Sequence, residues 1–306
     1  MFKSIIFLLI LINISIMTDT LPDFDKLWDY NNPAETEKKF KEILPQAEES
    51  KDKSYLIELL TQVARTEGLQ MKFDDAHKTL DRAMKLIKAD HIRPRIRYML
   101  ERGRVYNSSK VYDKAKELFL AAYQQAVKYN EDNLTVDAAH MMGIVEKAEE
   151  SLKWNEVAMK HAEYSKDENA KKWLGSLYNN TGWTYHDMGD YNKALELFER
   201  NVIWHSERNT KQGLSIAKWC AARTLRSLGR TEEALDKQIE LSAFNNELGL
   251  GEDGYNSEEI GECLLALNRG DEAKPYFRKA FELLSKDIWL QENEKERLEK
   301  LKKLGE

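Results

Sequence analysis

Small and apolar residues recur along this chain at spacings of three, four and seven, which is the period of a helix face and not the alternation of a strand. The frame is clearest in LGSLYNNTGWTYHDMGDYNKALELFER, residues 174 to 200, where Gly182 and Tyr185 precede Gly189 and Tyr191, then Ala194 and Phe198. The central alanine returns as Ala76 in KFDDAHKTL, Ala115 in VYDKAKELF, Ala234 in RTEEALDKQ and Ala273 in GDEAKPYF. Asn155 in SLKWNEVAM stands in the gap between Ala115 and Ala194, and Thr36 in NPAETEKKF extends the series one step back. From Ala76 onward the intervals are 39, 40, 39, 40 and 39 residues. A fixed period of this size marks an array of supersecondary units.

Each unit reads as two helices. Twelve residues before each marker stands another small residue: Ala64, Gly103, Gly143, Gly182, Ala222 or Gly261. Four residues after it stands Leu80, Phe119, Met159, Phe198 or Phe277, and three further on Ala83, Ala122, Ala162 or Ala280. Small residues on facing helices permit close approach, and the large side chain fills the space beside them. The pairs are expected near 55–88, 94–129, 134–165, 171–206, 212–246 and 254–286. Between their helices, MGDY, LGRT and NRGD are turn chemistry, with Gly189 and Gly229 free to take positive φ. These residues are therefore expected to pack and turn. No Gly-Lys-Ser/Thr follows a strand, so no phosphate loop is formed.

The signature Gly/Ala-x-x-Tyr…Gly-x-Tyr-x-x-Ala-x-x-x-Phe resembles the tetratricopeptide repeat family. It is met best by Gly182 to Phe198, then by Gly103, Tyr106, Tyr112, Ala115, Phe119 and Ala122. The resemblance covers about residues 30 to 286, with repeats longer than the family's usual 34 and, in plan, a likeness to bacterial-type members. It implies an all-α fold, a right-handed superhelix (α-solenoid) of antiparallel helix pairs. Asn155, Asn201 and Gln238 depart from the pattern, and Arg269-Gly270 suggests a shifted turn glycine in the last unit.

One solenoid is expected over residues 21–306, with capping helices. Asn32-Pro33 reads as a helix start, the helix running to about residue 44. Phe24 and Trp28 are expected to cover the first end, and a polar helix with Leu298, Leu301 and Leu304 the other, its connection anchored by Trp289. Residues 1–20 differ: IIFLLILINISIM is too short for a usual membrane span and the right size for a signal core, yet no small-x-small cleavage site follows. It is read as signal-like or as a misassigned start before Met17. The expected location is cytoplasmic, the alternative being export or membrane attachment through residues 1–17. Residues 17–306 are expected to make no stable membrane association.

Charge and composition narrow the function. Of 306 residues, 42% are hydrophobic and 33% charged, which suits a folded helical protein. A formal charge of -6 gives no footprint for nucleic acid, and Glu101, Asp187 and the Glu258/Glu259/Glu262 cluster interrupt any basic track. The two cysteines, Cys220 and Cys263, and the six histidines form no metal-ligand spacing, and nucleophile motifs are absent. No enzyme, metal or cofactor is expected.

The resemblance implies that the first helix of each pair lines a concave groove. Residues offset from the packing positions become candidate ligand contacts: Arg65, Arg104, Asn107, His140, Asn179, Asn180, Trp183, His186, Trp219, Arg223 and Arg226. Trp183 and Trp219 have packing between repeats as an equal alternative. Arginine, asparagine and aromatic side chains suit an acidic or C-terminal peptide. The family's clamp for chaperone tails needs Lys and Asn four apart, then Asn, then Lys and Arg four apart. Leu100/Arg104, Met141 and Ser176/Asn180 do not reproduce it. The expected function is a non-enzymatic protein- or peptide-binding scaffold. The alternatives are a sensor module for a small signalling peptide, or an assembly subunit using its convex face.

Overall fold

The computed structural model describes residues 21–306, and every regular element among them is a helix. The expectations attached to the apolar run of residues 1–20 lie outside the described residues. The chain divides into two compact units, one reaching to Ser109 and the other Lys110–Glu306.

The first unit holds a 3-10 turn (Phe24–Leu27), α1 (Pro33–Glu49), α2 (Lys53–Leu69), α3 (Phe73–Leu86) and α4 (Ile92–Ser108). Asn32 caps α1 by accepting from the Glu35 amide, with Pro33 in the first turn. The helix does not stop near residue 44 but continues through Pro45 to Glu49. An interior proline costs roughly 3 kcal/mol. Burial of Phe40, Ile43 and Ala47 on one face offsets that cost and holds the last turn in place. The core of this unit is Phe40, Ile57, Leu59, Leu60 and Val63, closed on one side by Phe24 and Trp28.

The second unit holds α5 (Tyr112–Lys128), α6 (Asp132–Val145), α7 (Ala148–Tyr164), α8 (Glu168–Lys171), α9 (Leu174–Asp187) and α10 (Tyr191–Glu207). It continues with α11 (Lys211–Ser227), α12 (Thr231–Glu247), α13 (Gly254–Ala266), α14 (Gly270–Leu284), α15 (Ile288–Asn293) and α16 (Lys295–Leu304). The pairs α6–α7, α9–α10, α11–α12 and α13–α14 form hairpins that stack, α10 on α11 and α12 on α13. The first helix of the α9–α10 hairpin starts at Leu174 and not near 171, because the short α8 and Trp173 intervene.

Every spaced marker is buried: Thr36, Ala76, Ala115, Asn155, Ala194, Ala234 and Ala273. Phe198 and Phe277 are fully enclosed, each burial contributing about 1.5–3 kcal/mol. Facing Phe277, a Cβ on Gly261 would lie 2.9 Å from the ring. Asn155 keeps its place because it meets Gly143, which leaves room for the amide.

The turns follow one geometry with varied residues. Gly189 and Gly229 take positive φ as expected, and Met71, Lys110 and Asn268 do so at the same place, five residues before their markers. The last turn is therefore not shifted to Gly270: Asn268 supplies the left-handed residue, which its short polar side chain tolerates, and Gly270 begins α14. At the end of the chain, Leu298 and Leu301 of α16 are buried, and α16 packs on α14. Leu290, 1% exposed, anchors the connection. Trp289, expected in that role, is 59% exposed, since α15 turns its neighbour inward instead.

Candidate functional site: the first-helix face of each unit

In the second unit, the residues offset from the packing positions on α9, α11 and α13 come together. Trp183 on α9 lies 6.0 Å from Trp219 on α11, and Trp219 lies 6.3 Å from Tyr255 on α13. Both tryptophans are half-buried, packed against the hydrophobic cluster. The indole nitrogen of Trp219 is buried without a hydrogen-bond partner. Buried donors of this kind are rare.

Beside this aromatic row runs a polar one. Arg223 donates to Ser227 Oγ at 2.7 Å and pairs with Glu259 at 2.8 Å. Arg226 holds the same carboxylate with two bonds of 2.8 and 2.9 Å. Glu259 is 5% exposed, so stripping it of both arginines would strand a buried charge, at a cost of about 3–5 kcal/mol. Two arginines thus share one carboxylate, and Asp187 lies 3.9 Å from His186 beside them. His186 shares Ser227 Oγ at 2.9 Å. Burial, then the neighbouring Arg223, holds its pKa below the usual histidine value, so the ring adds no charge near neutrality. Glu258 and Glu262 are taken up by Arg297 and Lys300 of α16.

Asn179 accepts from the Cys220 thiol at 3.6 Å and donates to Asn180, which is exposed. His140 stands apart from these residues on α6, its ring 5.5 Å from Trp173.

In the first unit, Arg65 and Arg104 converge on one carboxylate, Glu101, at 3.1 and 2.7 Å. Arg65 also lies over Trp28 and Tyr30, 5.7 and 5.5 Å from the ring centres. Asn107 is half-buried on the last turn of α4. The sequence reading missed Tyr255 and Arg97. Both stand eighteen residues before their markers, one turn earlier on the same stripe. That register was the available signal.

The two thiols are not activated. Burial pushes the thiols of Cys220 and Cys263 up to about 12, so neither supplies a thiolate. Among the described residues no His, Cys, Asp and Glu side chains gather to hold a metal ion. A cleft of about 420 Å³ between α7 and α10 is walled by internal pairs: Tyr185 with Glu156, and Arg200 with Glu163. No helix among the described residues is long and apolar enough to cross a membrane.

Comparison with known proteins agrees with this architecture. The tetratricopeptide repeat model matches residues 175–200 and 258–285. No curated protein matches by sequence. The apo form of RapI superposes with a TM-score of 0.69 at 13% identity, over 87% of this chain and 76% of that one. A signal transduction ATPase (STAND protein) with a tetratricopeptide repeat sensor, from Pyrococcus horikoshii, gives 0.69 at 15% identity, over 89% of this chain and 42% of that one. The apo quorum sensor NprR from B. thuringiensis gives 0.55 at 13% identity, over 88% and 77%. At such identities the likeness is one of fold. The chain shares the fold of tetratricopeptide repeat proteins, stacked helix pairs, and two of its hairpins match the repeat model.

Proposed function

We propose that this chain is a peptide-sensing module without enzymatic activity, whose ligand lies on the first-helix face of the second unit. The carrying observation is the unpartnered indole N–H of Trp219 within an aromatic row, beside two arginines that share the single carboxylate of Glu259. With a turn of the Trp219 ring a peptide carbonyl would satisfy that donor, an apolar side chain would lie on Trp183 and Trp219, and a carboxylate would meet Arg223 and Arg226. Charge-assisted bonds of this kind are about twice as strong as neutral ones. Two fold relatives are sensors, which favours this reading over a passive scaffold. Both cysteines are free, which suits a reducing compartment, and we assign the module to the cytoplasm.

Selection of peptides from a random display library tests the proposal. Peptides enriched on the chain should carry an acidic group near an apolar residue, and should lose at least about tenfold in affinity on Trp219→Phe or Arg223→Gln. Tryptophan to phenylalanine keeps the ring packing and removes the donor. Failure to enrich any peptide, or binding by both variants equal to that of the unaltered chain, rejects the reading.

A further inference from the structure

The segment before α1 does more than close the end of the first unit. Phe24 is its one buried residue between positions 21 and 32. Its ring lies 5.1 Å from Tyr55 on α2, and Arg97 on α4 lies over it at 5.8 Å. The next residue, Asp25, receives two parallel bonds from Arg97, of 3.1 and 2.9 Å. Three residues further on, Trp28 donates its indole N–H to Gln62 of α2 at 3.1 Å and stacks on Tyr30. Tyr55 donates to the Pro22 carbonyl at 2.7 Å. The segment therefore reaches residues of both α2 and α4 in addition to α1, whose Phe40 ring meets Phe24 and Trp28.

The way it is held is that of a ligand. Its backbone bonds are mostly local, Lys26 to Asp23, Asn32 to Asp29 and Asp29 to the Thr36 hydroxyl, apart from the Pro22 carbonyl that accepts from Tyr55. The other contacts to α2 and α4 are made by side chains: an aromatic anchor, a bidentate carboxylate and a hydrogen-bonded indole, which are features of peptide recognition. Arg97 has a second partner in Glu58, 2.9 Å away, so departure of Asp25 would not leave the guanidinium without a counter-charge.

We infer that residues 21–30 are an intramolecular ligand, filling a peptide site on the α2–α4 face. A competing partner would be a peptide with an aromatic residue, a carboxylate directly after it, and a second aromatic residue three positions further on. The inference stands on the first unit alone and does not need the reading of the second.

The test uses the full chain and a fluorescein-labelled peptide of residues 21–31. Asp25→Ala with Trp28→Ala loosens the segment in cis. This variant should bind the peptide one to one, at least tenfold more tightly than the unaltered chain. Adding Arg97→Glu should abolish binding, and a peptide carrying Asp25→Arg should restore it. If the loosened chain, folded by circular dichroism, binds no better than the unaltered one, the inference is wrong. Should that variant not fold, Asp25→Asn, which leaves both aromatic anchors, takes its place; peptide binding above that of the unaltered chain is again expected, and no gain overturns the inference.

Discussion

The ring of Phe198 occupies the space where a side chain on Gly182 would begin: a Cβ there would lie 2.6 Å from Cε1. The two residues sit on the two helices of one hairpin, α9 and α10. Their contact fixes how closely those helices approach, and with that the position of the face carrying Trp183 and His186. Gly182→Ala should therefore lower stability although alanine favours helix by about 1 kcal/mol. With Phe198→Leu already in place, the same substitution should become stabilising. Urea midpoints of the four chains of this cycle measure the change of sign, and destabilisation in both backgrounds refutes the contact.

Ala194 is 0% exposed at the same crossing. Ala194→Leu should destabilise by about 1–3 kcal/mol through overpacking. An unchanged unfolding midpoint would mean that the helices can separate there at no cost.

Met71 adopts a φ of 60°, in a region that costs a residue with a Cβ roughly 1–2 kcal/mol. It is 75% exposed, so its side chain contributes little. Met71→Gly should raise the urea midpoint, whereas Gly189→Met, at the equivalent turn, should lower it. Shifts of the same sign for both would contradict a shared turn geometry.

Acid should weaken the second unit before its carboxylates titrate. Burial holds the pKa of His161, His186 and His205 below the usual 6.5. As pH falls through that value, the unfolded chain takes up protons that the folded chain refuses, so stability declines, and the loss is complete below the folded pKa. The urea midpoint should be lower at pH 5.5 than at pH 7.5. A variant with all three replaced by glutamine should show a smaller drop. An equal drop in that variant would place the effect elsewhere.

The sequence by itself determined the helix pairs and the residues at their crossings. Packing of two helices imposes a local rule, small residue against large at fixed spacing, and Gly182, Ala194 and Phe198 obey it within a few turns of chain. It also named the stripe on which Trp183, Trp219, Arg223 and Arg226 stand, because a helical face is a matter of register. Tertiary structure decided what that register cannot contain. Trp219 meets both Trp183 and Tyr255, two arginines share Glu259, and Asp25 reaches Arg97 across 72 residues. Such partners depend on which helices become neighbours and how far each side chain extends. Asn268 shows the same limit at a turn: its φ of 59° is imposed by the two helices it joins, and residue type alone pointed to Gly270.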